Sequence, residues 1–139
     1  MNSRTSPIRL LIVDNFEPWA HFLSKLIKED PSLIIAGIAS DGHQAIQEVE
    51  SLKPDLVLLE ANLPGLSGIE LARRIKEVFP GCHLLFISNN STRAVVVAAF
   101  DAGATGYVFK ADILELLSAI ESVRAGKRYL SRSLHDLGL

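Results

Sequence analysis

The chain has one cysteine, Cys82, so no disulfide can form within it. A single thiol fits a reducing compartment, and the cytoplasm is the expected location. No apolar run is long enough to span a bilayer, and residues 1–7 are polar and unlike an export signal. Neither sign of charge dominates: 14 Lys and Arg stand against 16 Asp and Glu, for a net charge of −2. That balance gives no electrostatic case for nucleic acid or an anionic membrane as a direct partner of this domain. His21, His43, His83 and His135 show no metal-ligand spacing, and one cysteine makes no zinc signature. There is no Gly-x-Gly-x-x-Gly or Walker loop, so nucleotide binding has no motif to rest on. Asp41-x-His43 has the start of a cobalamin-loop pattern, but Ile46 stands at its glycine position, and the match is read as coincidence.

What is present is alternation. At 139 residues, 48% of them apolar, the chain is one ordinary globular domain. Short apolar runs at residues 8–13, 33–39, 56–59, 84–87 and 106–109 read as strands. Between and after them come stretches with apolar residues at helical spacing. The first carries Phe16, Trp19, Leu23, Leu26 and Ile27 inward. Later ones carry Ala45, Ile46, Val49 and Leu52, then Ile69, Ala72, Ile75 and Phe79 after a cap at Ser67. Residues 93–100 contain three valines in a row, which favour a strand. The start signal Ser91-Thr92 and the stop Ala102-Gly103 predict a helix instead. A last helix is predicted over residues 113–124, with Ile113, Leu117, Ile120 and Val123 inward. Uniformly apolar strands, each followed by an amphipathic helix, imply a parallel sheet covered on both faces. The expected fold is thus a doubly wound five-stranded α/β domain.

In such sheets the functional crevice lies at the carboxyl ends of the strands. Asp14, Asn15, Glu60, Ser88 and Lys110 each sit at or just past such an end. Any one of them alone reads as a loop residue in water. Together, two carboxylates and a lysine converging on one crevice read as an ion-pair site at the least.

These blocks carry a resemblance. Val13-Asp14-Asn15, the run from Glu60 to Gly68 (EANLPGLSG), Ser88, and the run from Gly103 to Lys110 (GATGYVFK) resemble, in order and spacing, the receiver domain of bacterial response regulators. The resemblance covers residues 8–126 and implies the CheY-like, flavodoxin-like fold with strand order 2-1-3-4-5. Residues 1–7 are then a disordered N-terminus. Residues 127–139 resemble the linker that leads to a helix-turn-helix domain in the nitrate-regulator and LuxR-type subfamily. DNA would be met only through such a domain, which this chain does not contain. Protein partners are implied: a sensor kinase, and a second copy docked through helix 4, strand 5 and helix 5, or through helices 1 and 5.

Receivers, as the resemblance implies, accept a phosphoryl group on a strand-end aspartate, with magnesium between the two anions. Lys110 matches the lysine that neutralises phosphoryl oxygens. Ser88 matches the hydroxyl that binds the product, and Tyr107 the aromatic that then turns inward. Asp14 matches one acid of the metal pair. Two positions depart: Asn15 replaces the second acid, and Glu60 replaces the nucleophile. Three carboxylates against one lysine become two, so magnesium held by Asp14 and Glu60 should bind weakly. Glu60 also carries its carboxylate outward by roughly 1.5 Å. A misplacement of that order costs about a hundredfold in in-line transfer.

The longer arm of Glu60 can instead reach Lys110. Three readings follow, in order of preference. The pair is a structural salt bridge, it imitates the phosphorylated state, or Glu60 is phosphorylated. The functional expectation is a non-enzymatic pseudo-receiver acting as an interaction module of a transcriptional regulator. The alternatives are a magnesium-dependent phosphoacceptor, and a small-ligand binder of flavin or cobalamin type. If charge is what the site lacks, Glu60→Asp combined with Asn15→Asp restores magnesium binding. A magnesium titration that cannot tell the double variant from the parent would refute the charge argument.

Overall fold

The computed structural model describes residues 6–139. Of the stretch expected to be disordered, residues 1–5 lie outside the described residues. The elements alternate as the sequence implies: β1 (Ile8–Val13), α1 (Glu17–Ile27), β2 (Leu33–Ala39), α2 (Gly42–Leu52), β3 (Leu56–Leu59), α3 (Gly68–Val78), β4 (His83–Ser88), α4 (Arg93–Asp101) and β5 (Gly106–Phe109). A 3-10 segment (Lys110–Glu115) then leads into α5 (Leu116–Arg124), which therefore starts three residues later than residue 113.

Helix starts follow side-chain chemistry. The carboxylate of Asp41 accepts the Gln44 amide at 2.8 Å and caps α2. Ser67 caps α3 and Thr92 caps α4 in the same way. Each satisfies an amide that the first helical turn would leave unpaired. The Thr92 cap and the burial of Val96 fix the valine run as helix, with Val95 and Val97 half-buried. Packing here overrides the weak β-preference of valine.

All strand pairs are parallel, in the order β2-β1-β3-β4-β5-β6. The expected order 2-1-3-4-5 is contained in it, but five strands are corrected to six. The sixth, β6 (Tyr129–Leu130), comes from residues 127–139, the stretch read as a linker. Gly126, at φ 77°, turns the chain back after α5. Tyr129 then donates its amide to the Thr105 carbonyl, and Ser131 donates to that of Tyr107. This pairing covers groups that β5 would otherwise leave open along its outer edge. A further 3-10 helix (Arg132–Leu137) follows.

Side chains alternate along the strands and build one core on each face. Leu11, Val13, Val57, Leu59, Phe86 and Tyr107 point to the face that holds Val49, Leu71, Ile75 and Val96. Leu10, Ile12, Leu58, Leu85, Ile87 and Val108 point to the face that holds Leu23, Ile27, Leu116 and Ile120. β2 lies at the sheet edge, which explains why Ile34 and Ile38 stay nearly half exposed in an otherwise apolar strand. Phe16 is a correction: it is 61% exposed, because it precedes the first turn of α1 instead of lying on its inner face.

One glycine bears directly on the strand ends. A Cβ added at Gly68 would stand 2.0 Å from the Glu60 carbonyl oxygen and 2.8 Å from the Ala61 Cα. Backbone cannot step aside as a side-chain tip can. Gly68→Ala is expected to destabilise the protein by about 1–3 kcal/mol. Gly81→Ala, where nothing lies within 4 Å, should be close to neutral. Urea denaturation of the two variants checks this, and equal midpoints would contradict the packing argument.

Candidate functional site

The strand register brings the polar residues together. Val13 pairs with Leu59, Leu59 with Phe86, and Ser88 with Phe109. The residues that follow these positions, Asp14, Glu60 and Lys110, therefore emerge side by side at one rim. Asp14 and Glu60 are buried, 5% and 7% exposed, and Ser88 is fully buried.

Lys110 Nζ lies 3.0 Å from Glu60 Oε1 and 3.3 Å from Asp14 Oδ2. The second oxygen of Glu60, Oε2, accepts a hydrogen bond from the Ser88 hydroxyl and a 3.0 Å bond from the Asn62 amide. Asp14 Oδ1 accepts the Phe16 amide at 2.8 Å. The ammonium also sits 4.8 Å from the centroid of the Trp19 ring, a cation–π distance. Two carboxylates thus share one ammonium in a largely water-free place.

Burial pushes the Asp14 carboxyl above its ordinary value, more than the Phe16 amide and Lys110 pull it down. Tyr107 is fully buried, and burial raises its phenol to about 12. Its ring stacks on Phe86 at 5.6 Å, and its hydroxyl donates to the Asn90 carbonyl at 2.6 Å. The Asn90 amide in turn donates to Ser88 Oγ. Glu60, Ser88, Asn90 and Tyr107 thus form one hydrogen-bonded chain.

Of the residues singled out from the sequence, Asp14, Glu60, Ser88 and Lys110 meet directly, and Tyr107 joins them through Asn90. Asn15 does not: it is exposed and lines an open cleft of about 390 Å³ beside Asp14 with Glu17, His21 and Ser40. Sequence reasoning passed over Asn90, Asn62 and the contact of Trp19 with Lys110. Asn90 had a local signal, since Asn-x-Thr ahead of a helix is a turn-and-cap pattern. Trp19 had only its place in the first turn of α1, just beyond Asp14. Backbone amides such as that of Asn62 carry no signal in composition.

The magnesium implied by the resemblance does not fit this donor set. All four carboxylate oxygens of Asp14 and Glu60 already face an amide, a hydroxyl or the ammonium. A dication bound there would face the Lys110 ammonium, which lies 3.0 and 3.3 Å from the same two carboxylates. Among the described residues, no three His, Cys, Asp or Glu side chains gather as a metal site needs.

A raised Asp14 pKa means that its ionisation costs stability. The contribution is present below the ordinary carboxylate range and is lost as the pH rises through the raised value. Asp14→Asn keeps an acceptor for the Phe16 amide and removes that cost. Its Tm should exceed the parent's at pH 7, with the gap closing as the pH falls through the Asp14 pKa. Thermal melts over that range test the sign, and a lower Tm at pH 7 would reverse it.

Comparison with known proteins agrees with the geometry. The response regulator receiver domain family matches residues 10–121. The nitrate/nitrite response regulator NarL of Escherichia coli (strain K12) is 33% identical over 133 residues, 95% of this chain and 62% of its own length. The response regulator GacA of Pseudomonas viridiflava is 30% identical over 125 residues, 89% of this chain and 58% of its own. The chain spans 52 to 62% of the length of the curated relatives it matches. A LuxR-family two-component response regulator from Aurantimonas sp. SI85-9A1 superposes with a TM-score of 0.90 at 32% identity, covering 94% of each chain. The isolated receiver of RcsB from Salmonella enterica serovar Typhimurium, in the presence of the phosphomimetic BeF3−, superposes at 0.88. It covers 95% of this chain and 99% of its own, and at 21% identity it speaks for the fold alone. The order of the strands, the convergence of Asp14, Ser88 and Lys110, and these relatives lead to one conclusion: the chain belongs to the response regulator receiver domain family, among two-component regulators of the NarL and LuxR type.

Proposed function

We propose that this receiver signals without phosphorylation, with the Glu60 carboxylate standing permanently where a phosphoryl group would stand. The observation that carries the reading is the division of labour at Glu60. One oxygen takes Lys110, and the other takes the Ser88 hydroxyl. These are the two groups that the family's chemistry assigns to phosphoryl oxygens. Tyr107 is inward and buried beside them. A salt bridge of purely structural use would not need the serine or the tyrosine. The imitation of the phosphorylated state is therefore preferred over the plain structural pair, the reverse of the order drawn from sequence.

A genuine phosphoacceptor remains third. In-line attack needs a free carboxylate oxygen and a dication beside it. Here both oxygens are engaged, and Asn15 adds no charge. A single carboxylate carries less charge than a phosphoryl group and lies in a plane. The imitation is therefore partial.

The domain then acts as a protein-interaction module with no turnover of its own, within a transcriptional regulator. A relative supports that setting: the Transcriptional activator protein ExaE of Pseudomonas putida is 35% identical over 116 residues. Any DNA contact would fall to a domain outside this chain. Among the described residues no helix is long and apolar enough to cross a membrane. Helices α1 and α5 are the preferred face for a second copy, because chain segments cover part of the other face.

Magnesium with beryllofluoride, followed by amide NMR, tests the reading. No saturable shift is expected near Ser88 and Lys110. Saturable shifts there, or a phosphoryl adduct after incubation with acetyl phosphate, would support the phosphoacceptor and overturn the proposal.

A further inference from the structure

Residues after Gly126 do more than extend the sheet. Ser131 is fully buried; its amide donates to the Tyr107 carbonyl, and its hydroxyl accepts the Phe109 amide at 2.9 Å. Those two β5 residues bracket the stretch between the inward tyrosine and Lys110. Leu134, 1% exposed, enters the same apolar cluster as Val96, Ala99 and Tyr107, with Leu130 and Leu137 packed against it.

The segment is also pinned from both flanks. On the α4 side, Arg93 donates to the Leu137 carbonyl at 3.0 Å, and the Arg128 guanidinium lies 4.0 Å from the Phe100 ring centroid. On the α5 side, Tyr129 donates its hydroxyl to Glu115 at 2.6 Å, and the Arg132 amide points to the same carboxylate. Asp112 takes both the amide and the hydroxyl of Ser133, at 2.9 and 2.6 Å. Burial pushes the Asp112 carboxyl up, but these bonds outweigh it and hold it below its ordinary value.

The N-terminal end of α4 is also tied to the site. Asn90 receives the Tyr107 hydroxyl on its carbonyl and donates its amide to Ser88. Its side-chain oxygen accepts from the amide and hydroxyl of Thr92, the cap of α4. Two hydrogen-bonded routes therefore run from Glu60 to the C-terminal segment. One passes through Ser88, Asn90, Tyr107 and Ser131; the other passes through Asn90, Thr92, Arg93 and Leu137.

We propose that Tyr129–Leu137 is an intramolecular ligand of the α4–β5 face, a latch whose hold is set by the Glu60–Ser88 contact. The face that a second copy or another protein would use is occupied by the chain's own segment, so a partner there must displace it. While Glu60 holds Ser88, Asn90 and Tyr107 stay in place, and β5 presents the Tyr107 carbonyl and the Phe109 amide that Ser131 grips. When that contact is lost, Tyr107 is free to leave, and the grip on Ser131 loosens with it. Coupling of this kind is reciprocal. Opening the latch must also loosen Tyr107. The inference uses the contacts of Glu60 and not its phosphorylation, so it stands or falls apart from the function proposed above.

Hydrogen exchange on the full chain, resolved by residue, is the test. In Glu60→Ala the amides of Tyr129, Ser131 and Ser133 should exchange at least tenfold faster than in the parent, while those of α2 and β2 change less than twofold. Val49→Ala, a core cavity beneath α2, serves as the control for general destabilisation and should not accelerate the latch selectively. In the reverse direction, Ser131→Ala should shift and broaden the Tyr107 ring resonances. Latch amides that keep their parental rates in Glu60→Ala, or that speed up no more than the rest of the chain, would overturn the proposal. An unchanged Tyr107 ring in Ser131→Ala would overturn it equally.

Discussion

Lys110 is one ammonium between two buried carboxylates, and the arrangement of the rim follows from it. Asp14 and Glu60 end adjacent strands, so the sheet forces them together whatever their charges. Unpaired, they would repel in a place with little water. Removing one partner of a buried ion pair typically costs about 3–5 kcal/mol, because the other charge is left without compensation. Lys110 reaches the rim from β5 and settles both, with the Trp19 ring beneath it. The family's sheet order supplies the convergence, and the glutamate supplies the extra length that closes the 3.0 Å contact.

That extra length changes what the site does. An aspartate ending β3 would carry its carboxylate roughly 1.5 Å less far toward Lys110 and Ser88. In the proposed reading, the Glu60 carboxylate takes the place of a phosphoryl group there. In that reading, the methylene that would spoil in-line attack also delivers an acceptor to Lys110 and Ser88. In this account the site is occupied from the moment the chain folds. Its state is then set by stability, local charge and partner binding. The C-terminal segment extends the consequence outward, since Tyr107 and Ser131 share a backbone hydrogen bond.

Much of this was legible in the sequence. Strict alternation of apolar runs and amphipathic stretches specified the parallel sheet, and the position of polar residues after each run specified the rim. Asp14, Glu60, Ser88 and Lys110 could be placed together because strand ends in this topology have nowhere else to meet. Asn15, where the resemblance places the second acid, lines the cleft beside Asp14 with its side chain exposed. Two things could not be read. Phe16 fitted the helical stripe, yet it lies before the helix begins. The Tyr129-Leu130-Ser131 run is short, lies between Arg128 and Arg132, and has no periodicity of its own. Its strand character comes from the open edge of β5, which is a tertiary fact. Such edge pairing leaves almost no mark on local composition.

The central claim is that Glu60 and Lys110 hold each other in the folded protein. A double-mutant cycle on Glu60→Gln and Lys110→Met, read by urea denaturation, measures that interaction directly. The account predicts that the two changes are strongly non-additive, with a coupling energy of about 1–3 kcal/mol. Effects that add to within about 0.3 kcal/mol, the range found for independent sites, would contradict it.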